Sequence, residues 1–328
     1  MIDEPREILF SEDQLSGAPD HSAKPILLIA LGGNALIGKG QKGAIDEQFE
    51  NLKVPLEQIA QLSRNYRLII THGNGPQVGN LLLQQESCNK VPKLPLEILV
   101  AQTQGQIGYM IESTLDSELM RLGIVDKAIV CLITYVVVDE KDPAFESPSK
   151  PIGPIYSEQE INGENYPYRK TAKGYRRVVA SPQPKTIVEH REIKSLVDMD
   201  YIVICCGGGG IPVSRGGRTF LGMNAVIDKD LAGAKLAEEV GVDIMLIATD
   251  VEGVAINFGS PNQQTLKKVT VAQLQQYQSQ GHFPPGSMGP KVEAALRFMK
   301  NGGRRALITS TQNLADAVAG KTGTEITP

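Results

Sequence analysis

Three lysines stand in settings unlike that of an ordinary surface lysine. Lys150 is held between prolines in Pro148-Ser149-Lys150-Pro151-Ile152-Gly153, Lys229 lies in Ile227-Asp228-Lys229-Asp230 at a helix start, and Lys291 follows Gly286-Ser287-Met288-Gly289-Pro290. The prolines restrict the backbone on both sides of Lys150 and pre-aim its side chain. A lysine alone is most often a solvated cation, but each of these follows a rigid or glycine-rich turn where an anion could dock. Three further turns have the same character. Ile26 to Ala30 runs into Leu31-Gly32-Gly33-Asn34-Ala35-Leu36, Leu68 to Thr71 into His72-Gly73-Asn74-Gly75-Pro76-Gln77-Val78-Gly79, and Ile202 to Cys206 into Gly207-Gly208-Gly209-Gly210. Glycines leave the N–H groups of such turns open, and a following helix adds its positive end. Any one of them also reads as a plain tight turn; the three together suggest loops converging on one highly charged ligand. Phosphoryl transfer suits this set, because it needs positive charge around the three equatorial and two in-line oxygens and little covalent help from protein.

Other patterns are weaker. Asp228 reads either as a carboxylate stabilising its own helix N-terminus or as an acceptor that orients neighbouring lysines. Thr249-Asp250-Val251-Glu252-Gly253 reads either as a nucleotide contact or as a plain strand-to-loop turn. Gly73-x-Gly75-x-x-x-Gly79 only loosely resembles a dinucleotide fingerprint and lacks the acidic residue about 20 positions on. A Walker-type phosphate loop is absent, and no Ser/His/Asp or Cys/His set can be assembled. His72 reads as a packed turn residue. Cys88, Cys131, Cys205 and Cys206 lack metal-ligand and disulfide spacing and read as reduced thiols.

The elements that must position these residues alternate along the chain. Strands at Ile26–Ala30 and Leu68–Thr71 alternate with helical patterns at Phe49–Ile59, where Pro55 is a local conflict, and at Asn80–Gln85. Such alternation is the grammar of a parallel sheet covered on both faces. Leu96 to Leu122 reads as two helices or one bent at Gly105 and Gly108, and Ile129 to Val138 as one long strand. The stretch from Asp139 to Pro184, rich in proline and charge, reads as a lid or small excursion. The sheet resumes at Ile202 and Ile244 and closes with Ala306–Thr309, with helices at Ile227–Val240, after a Thr270/Gln273 capping box, and at Pro290–Met299.

Bulk properties narrow the class. At 328 residues, 41% hydrophobic and 21% charged, the chain suits one large or two intimate domains. Residues 1–24 read as an extension that the core does not need. No apolar run reaches the roughly 18 residues that span a bilayer, and the polar, acidic start lacks a signal-peptide layout, so the expectation is a cytoplasmic protein with no membrane partner. A net charge of −4 without a basic tract argues against nucleic acid. With 5% aromatic residues, a small-molecule site is expected from amides, glycines and charges rather than stacking rings.

In these motifs the chain resembles the carbamate kinases of the amino acid kinase superfamily. The resemblance runs from about Lys24 to the C-terminus through ALGGNAL (Ala30–Leu36), HGNGPQVGNLLL (His72–Leu83), Val136–Asp139, PSKPIGP (Pro148–Pro154), CGGGGIP (Cys206–Pro212), AVIDKD (Ala225–Asp230) and GHFPPGSMGPK (Gly281–Lys291). It implies a three-layer αβα sandwich around a mainly parallel eight-stranded sheet, a homodimer, and the Mg²⁺-dependent reaction ATP + carbamate ⇌ ADP + carbamoyl phosphate. Residues 25–212 would form an N-terminal lobe for carbamate, carrying the 139–184 lid, and residues 213–328 a nucleotide lobe. Gly32, Gly33, Asn34, Gly73, Asn74 and Gly75 would cradle the phosphoryl group and acceptor. Gly208, Gly209, Lys229, Thr249, Asp250, Met288 and Lys291 would meet the nucleotide. Ala30 occupies the position where many superfamily members have lysine, and Lys150 would supply that charge from the lid. Lys291 would neutralise the transferring group, and Asp228 would organise the lysines. Tyr135 where the family usually has Gln, Asn224 where it has Glu, and the Ser214–Arg218 segment are departures. They bear on acceptor preference or regulation and leave the lysines intact. The competing readings are a kinase for another carboxylate or phosphonate, a catalytically silent ligand-binding regulator on the same scaffold, and a dinucleotide oxidoreductase.

Overall fold

The computed structural model describes residues 24–161, 166–171, 174–284 and 287–328. The expected extension before Lys24, and Pro285 and Gly286, lie outside them. The chain opens with β1 (Ile26–Leu31), α1 (Ile45–Leu62), β2 (Arg67–His72), α2 (Gly75–Glu86) and α3 (Leu96–Arg121). Next come β3 (Ile129–Cys131), β4 (Tyr135–Val137), β5 (Lys150–Tyr156), β6 (Tyr168–Thr171), β7 (Gly174–Val179), β8 (Thr186–Ile187), α4 (His190–Asp198) and β9 (Ile202–Ile204). The second half holds β10 (Ile211–Gly216), β11 (Thr219–Gly222), α5 (Lys229–Val240), β12 (Ile244–Thr249), β13 (Ala255–Ile256), β14 (Gln264–Thr265) and β15 (Lys268–Thr270). It ends with α6 (Val271–Ser279), α7 (Met288–Lys300), β16 (Arg305–Ser310), α8 (Leu314–Val318) and β17 (Thr324–Thr327).

The central sheet has eight strands in the order β15-β17-β16-β12-β1-β2-β9-β3. Six run parallel, while β17 is antiparallel to β16 and parallel to β15. Buried on both faces, β1 shows the period of two expected of such a strand. Ile26, Leu28 and Ala30 enter one apolar core and Leu27, Ile29 and Leu31 the other. From β1 the chain builds outward to β2, β9 and β3 on one side, then returns to place β12 on the other. A crevice opens beyond the carboxyl ends of strands at such a reversal, and the first two glycine turns leave β1 and β2 at that end. No described helix is long and apolar enough to cross a membrane.

Several expectations are corrected. The long strand from Ile129 to Val138 is two strands in different sheets: β3 edges the central sheet, and β4 lies in a second sheet ordered β11-β10-β4-β8. The break is at Thr134, whose N–H donates to Gln104 Oε1 at 2.9 Å and whose carbonyl accepts from Gln104 Nε2 at 3.2 Å and Ile211 N at 2.9 Å. The first glycine turn leads into a three-residue 3-10 turn, Gly33–Ala35, and a loop, not directly into a helix; α1 starts only at Ile45. It then runs through Pro55 unbroken. Of the forms expected for Leu96 to Leu122, the structure has one helix, Leu96–Arg121, in which Gly108 lets Cys131 approach, since a Cβ there would lie 2.3 Å from its sulfur. Ala306–Thr309 does not close the sheet, because β17 and β15 lie beyond it. The 139–184 excursion carries a three-stranded antiparallel sheet, β5-β7-β6.

Candidate active site

The glycine turns meet at the carboxyl ends of β1, β2 and β9. Gly32 donates its N–H to Ala248 O at the end of β12, 3.0 Å away, and a Cβ there would lie 2.7 Å from that oxygen. Gly73 donates to Leu31 O at 3.0 Å, and a Cβ on it would lie 3.4 Å from Gly33 N and 3.6 Å from Lys229 Cδ. Two turns and one lysine stem thus share a single small space. Asn74 begins α2; its buried amide donates to Thr103 Oγ1 on α3 at 2.8 Å. The third turn is pressed against these groups from behind. A Cβ on Gly207 would lie 2.3 Å from the His72 ring, and one on Gly208 2.2 Å from Asn74 Nδ2. Gly208, Gly209 and Gly210 all have positive φ, where glycine carries no side-chain penalty.

Two aspartates gather the three lysines. Asp228 caps α5, its Oδ1 accepting from Asp230 N at 2.9 Å and Leu231 N at 3.3 Å, while its Oδ2 accepts from Lys150 Nζ. Both readings of Asp228 therefore hold at once. Asp230 was not among the residues expected from the sequence, yet it accepts from Lys229 Nζ on one oxygen and from Lys291 Nζ, 3.0 Å away, on the other. It lies inside the AVIDKD motif, one residue past Lys229, and that adjacency was the available signal. Burial alone would raise the Asp230 carboxyl, but Lys229 and Lys291 hold it well below the usual carboxylate range. Burial pushes the Lys229 ammonium down, and neighbouring Lys291 adds to this against the pull of Asp230. Lys291 is less enclosed; burial lowers it too, but Asp230 outweighs burial and leaves it above its ordinary value. Three ammonium groups face two carboxylates in this cluster, and Asp250, whose charge also reaches Lys291, stands beside it. The His72 imidazole is pushed down to about 4 by burial, with the nearby Lys229 charge working the same way against a bond to the Gly73 carbonyl. It is a neutral packing group, not a base at neutral pH.

Beside the lysines lies a cavity of about 460 Å³. Asn34, Thr249, Asp250 and Lys291 contribute polar groups to its lining, and Val251, Phe258, Pro284 and Met288 contribute apolar surface. Thr249, Asp250, Met288 and Lys291, expected at the nucleotide, all line it. Gly208 and Gly209 do not; they pack against Asn74 and Ile227. Gly75 is the first residue of α2, and the nearest atom to a Cβ built on it is Pro151 O of β5, 3.9 Å away. Phe258 and His282 on the cavity wall were missed, because nothing in their local spacing sets them apart.

Comparison with known proteins gives the family. The model of the amino acid kinase family matches residues 25–310. The carbamate kinase of Pyrococcus horikoshii is 48% identical over 311 residues, covering 92% of this chain and 99% of that protein. The carbamate kinase of Thermococcus kodakarensis is 49% identical over 317 residues, covering 92% and 98%. Among solved structures, carbamate kinase from Giardia lamblia bound to AMP-PNP superposes with a TM-score of 0.86 at 39% identity, covering 93% of this chain and 99% of that one. The chain belongs to the amino acid kinase family and, within it, to the carbamate kinases.

Proposed function

We propose that the protein catalyses reversible phosphoryl transfer between ATP and carbamate, giving ADP and carbamoyl phosphate. The observation that carries this reading is Asp230 bridging Lys229 and Lys291 where the glycine turns meet the cavity. The nucleotide occupies the cavity with its phosphates toward Asn34 and Lys291. Carbamate takes the side of Gly33, Gly73 and Gly75, under Lys150. A carbamate oxygen attacks the terminal phosphorus, the bond to the bridging oxygen breaks, and that electron pair leaves with ADP. Carbamate is already an anion with a nucleophilic oxygen, so no general base is required. The protein supplies position and charge: turn amides and Asn34 cradle the migrating group, Lys291 meets it from the nucleotide side, Lys150 from the acceptor side, and Lys229 holds phosphate oxygens between them.

Among the described residues no cluster of three or more His, Cys, Asp or Glu is placed to hold a metal. Asp250, a single carboxylate on the cavity wall, fits a magnesium ion that arrives with the nucleotide and keeps mostly water and phosphate oxygens. Such an ion would neutralise phosphate charge when bound. A homodimer belongs to the same proposal, on the resemblance to the carbamate kinases, and sedimentation of the purified protein tests it.

The test is ATP formation from ADP and carbamoyl phosphate, followed by a panel of carboxylates offered with ATP. Activity confined to carbamate is expected. Preference for another carboxylate would assign a different acceptor, and absence of transfer with any acceptor would overturn the reading.

A further inference from the structure

Lys150 does not belong to the central sheet; it reaches Asp228 from the first residue of β5, in the small excursion sheet. How that sheet is fixed to the body therefore decides where its ammonium stands. Next to Val179, Ala180 bridges to Ala225 and accepts from Val226 N at 3.0 Å, and three further contacts are made against α2. Ile152 is buried in an apolar cluster with Val78 and Leu82 of that helix. One residue on, Gly153 packs on Gly79 so closely that a Cβ at Gly79 would lie 2.0 Å from Gly153 Cα. At the far end of the helix Arg177 Nη1 donates to Glu86 Oε1 at 2.6 Å. Both partners of this pair are largely shielded, at 14% and 20% side-chain exposure, and the Arg177 guanidinium lies over the Tyr166 ring at 3.5 Å. Arg177 sits on β7, the middle strand, directly across from Ile152 and two positions along from the Lys150–Val179 pair. Beside it, Arg176 Nη2 donates to Gly153 O at 2.8 Å and ties β7 to the same glycine.

Resting on the function proposed above, we infer that Glu86 and Arg177 are positioning residues for phosphoryl transfer, acting through Lys150. The apolar, glycine and Ala180 contacts hold the Lys150 side of the sheet, and Glu86 is the last residue of α2. The directional, shielded ion pair at the other end fixes the angle at which β5 presents Lys150 to Asp228. The pair touches neither substrate nor the reacting atoms. Its loss lets the excursion sheet turn on the Ile152–Gly153 contact, with Lys150 carried away from the cradle.

The test compares Arg177→Ala, Glu86→Gln, the charge-swapped double variant Glu86→Arg/Arg177→Glu, and Lys150→Ala, each measured for kcat, for KM of ADP and by amide hydrogen exchange along β5. Each single variant is expected to lower kcat on the order of tenfold, as for loss of one partner of a shielded pair, with KM for ADP unchanged and faster exchange in β5. The swapped variant recovers most of the loss, which a merely structural role for either side chain would not give. The inference is overturned if Lys150→Ala has lost turnover while Arg177→Ala and Glu86→Gln retain it, or if the swap restores nothing. Near-normal turnover in Lys150→Ala would instead remove the assigned role of Lys150, and the β5 exchange rates would then decide the seam alone: unchanged rates in Arg177→Ala overturn it.

Discussion

Lys291 Nζ lies 3.0 Å from Asp230 Oδ2, joining the starts of two helices that are 61 residues apart in sequence. The other Asp230 oxygen is taken by Lys229, so one buried carboxylate holds two ammonium groups at once. Asp230→Asn keeps the shape and removes the charge, leaving two cations facing each other out of water. Removing one partner of a buried ionic set costs about 3–5 kcal/mol, so a clear fall in the denaturation midpoint is expected. Turnover is expected to fall on the order of 10²-fold, as for loss of a preorganised charge-stabilising group. A variant with wild-type stability and turnover would show that the lysines hold their places unaided.

On the proposed function, Lys291→Ala and Lys150→Ala remove charge from opposite sides of the migrating group. Each is expected to lower kcat on the order of 10²–10³ in the direction of ATP formation. Near-normal turnover in either variant would remove that lysine from the site.

His72 sets a pH dependence of stability. Burial lowers its imidazole from the ordinary value of 6.5 to about 4. The unfolded chain takes up this proton near 6.5 and the folded chain only near 4, so acid favours unfolding across that interval. Stability is complete above pH 6.5 and declines as pH falls toward 4, by up to about 3 kcal/mol from this group. Denaturant titrations between these limits should show the decline, and His72→Gln should flatten it. An unchanged slope in the variant would assign the acid sensitivity to other groups.

The parts of the fold legible in the sequence were those where local pattern and tertiary role coincide. β1 and β2 announce themselves because both faces are buried, and Thr270 with Gln273 forms its capping box within one turn. Thr134 shows the opposite case. An unbroken run of β-branched and apolar residues continues through it, and the strand divides only because Gln104, distant in sequence, takes both its backbone groups. The site was partly legible for the same reason. Lysines beside rigid turns could be singled out, but Asp230 looks like any first-turn acidic residue until Lys291 arrives from another helix. The glycines at 207 and 208 were visible as a turn, yet they also admit His72 and Asn74, a contact between segments distant in sequence that no local spacing encodes.

Gly208 combines both constraints. Its φ is +67°, and a Cβ would lie 2.2 Å from Asn74 Nδ2. Gly208→Ala therefore pays backbone strain of order 1–3 kcal/mol and displaces the Asn74 amide from Thr103. Stability and kcat should fall together, whereas Gly105→Ala, at a helical position with nothing within 4 Å, should leave turnover unchanged and stability equal or slightly higher. Equal behaviour of the two variants would show that the loop behind Asn74 yields freely.

On the proposed function, the cavity's lining suggests which end of the nucleotide lies where. Its lining holds the charged residues Asp250 and Lys291 together with Asn34 and Thr249, while Phe258, 65% exposed, offers a ring beside Val251, Pro284 and Met288. An aromatic face left that open is suited to stack on a nucleobase, a contact of about 1–3 kcal/mol where measured by alanine substitution. Phe258→Ala is then expected to raise KM for ADP on the order of tenfold, with kcat and KM for carbamoyl phosphate within twofold of wild type. The split follows from the proposed orientation, in which Phe258 would meet only the end of the ligand that does not react, and uniform binding lost there appears in KM alone. If kcat falls instead, the ring supports the Asp250–Gly253 loop from behind, and the base lies elsewhere on the wall.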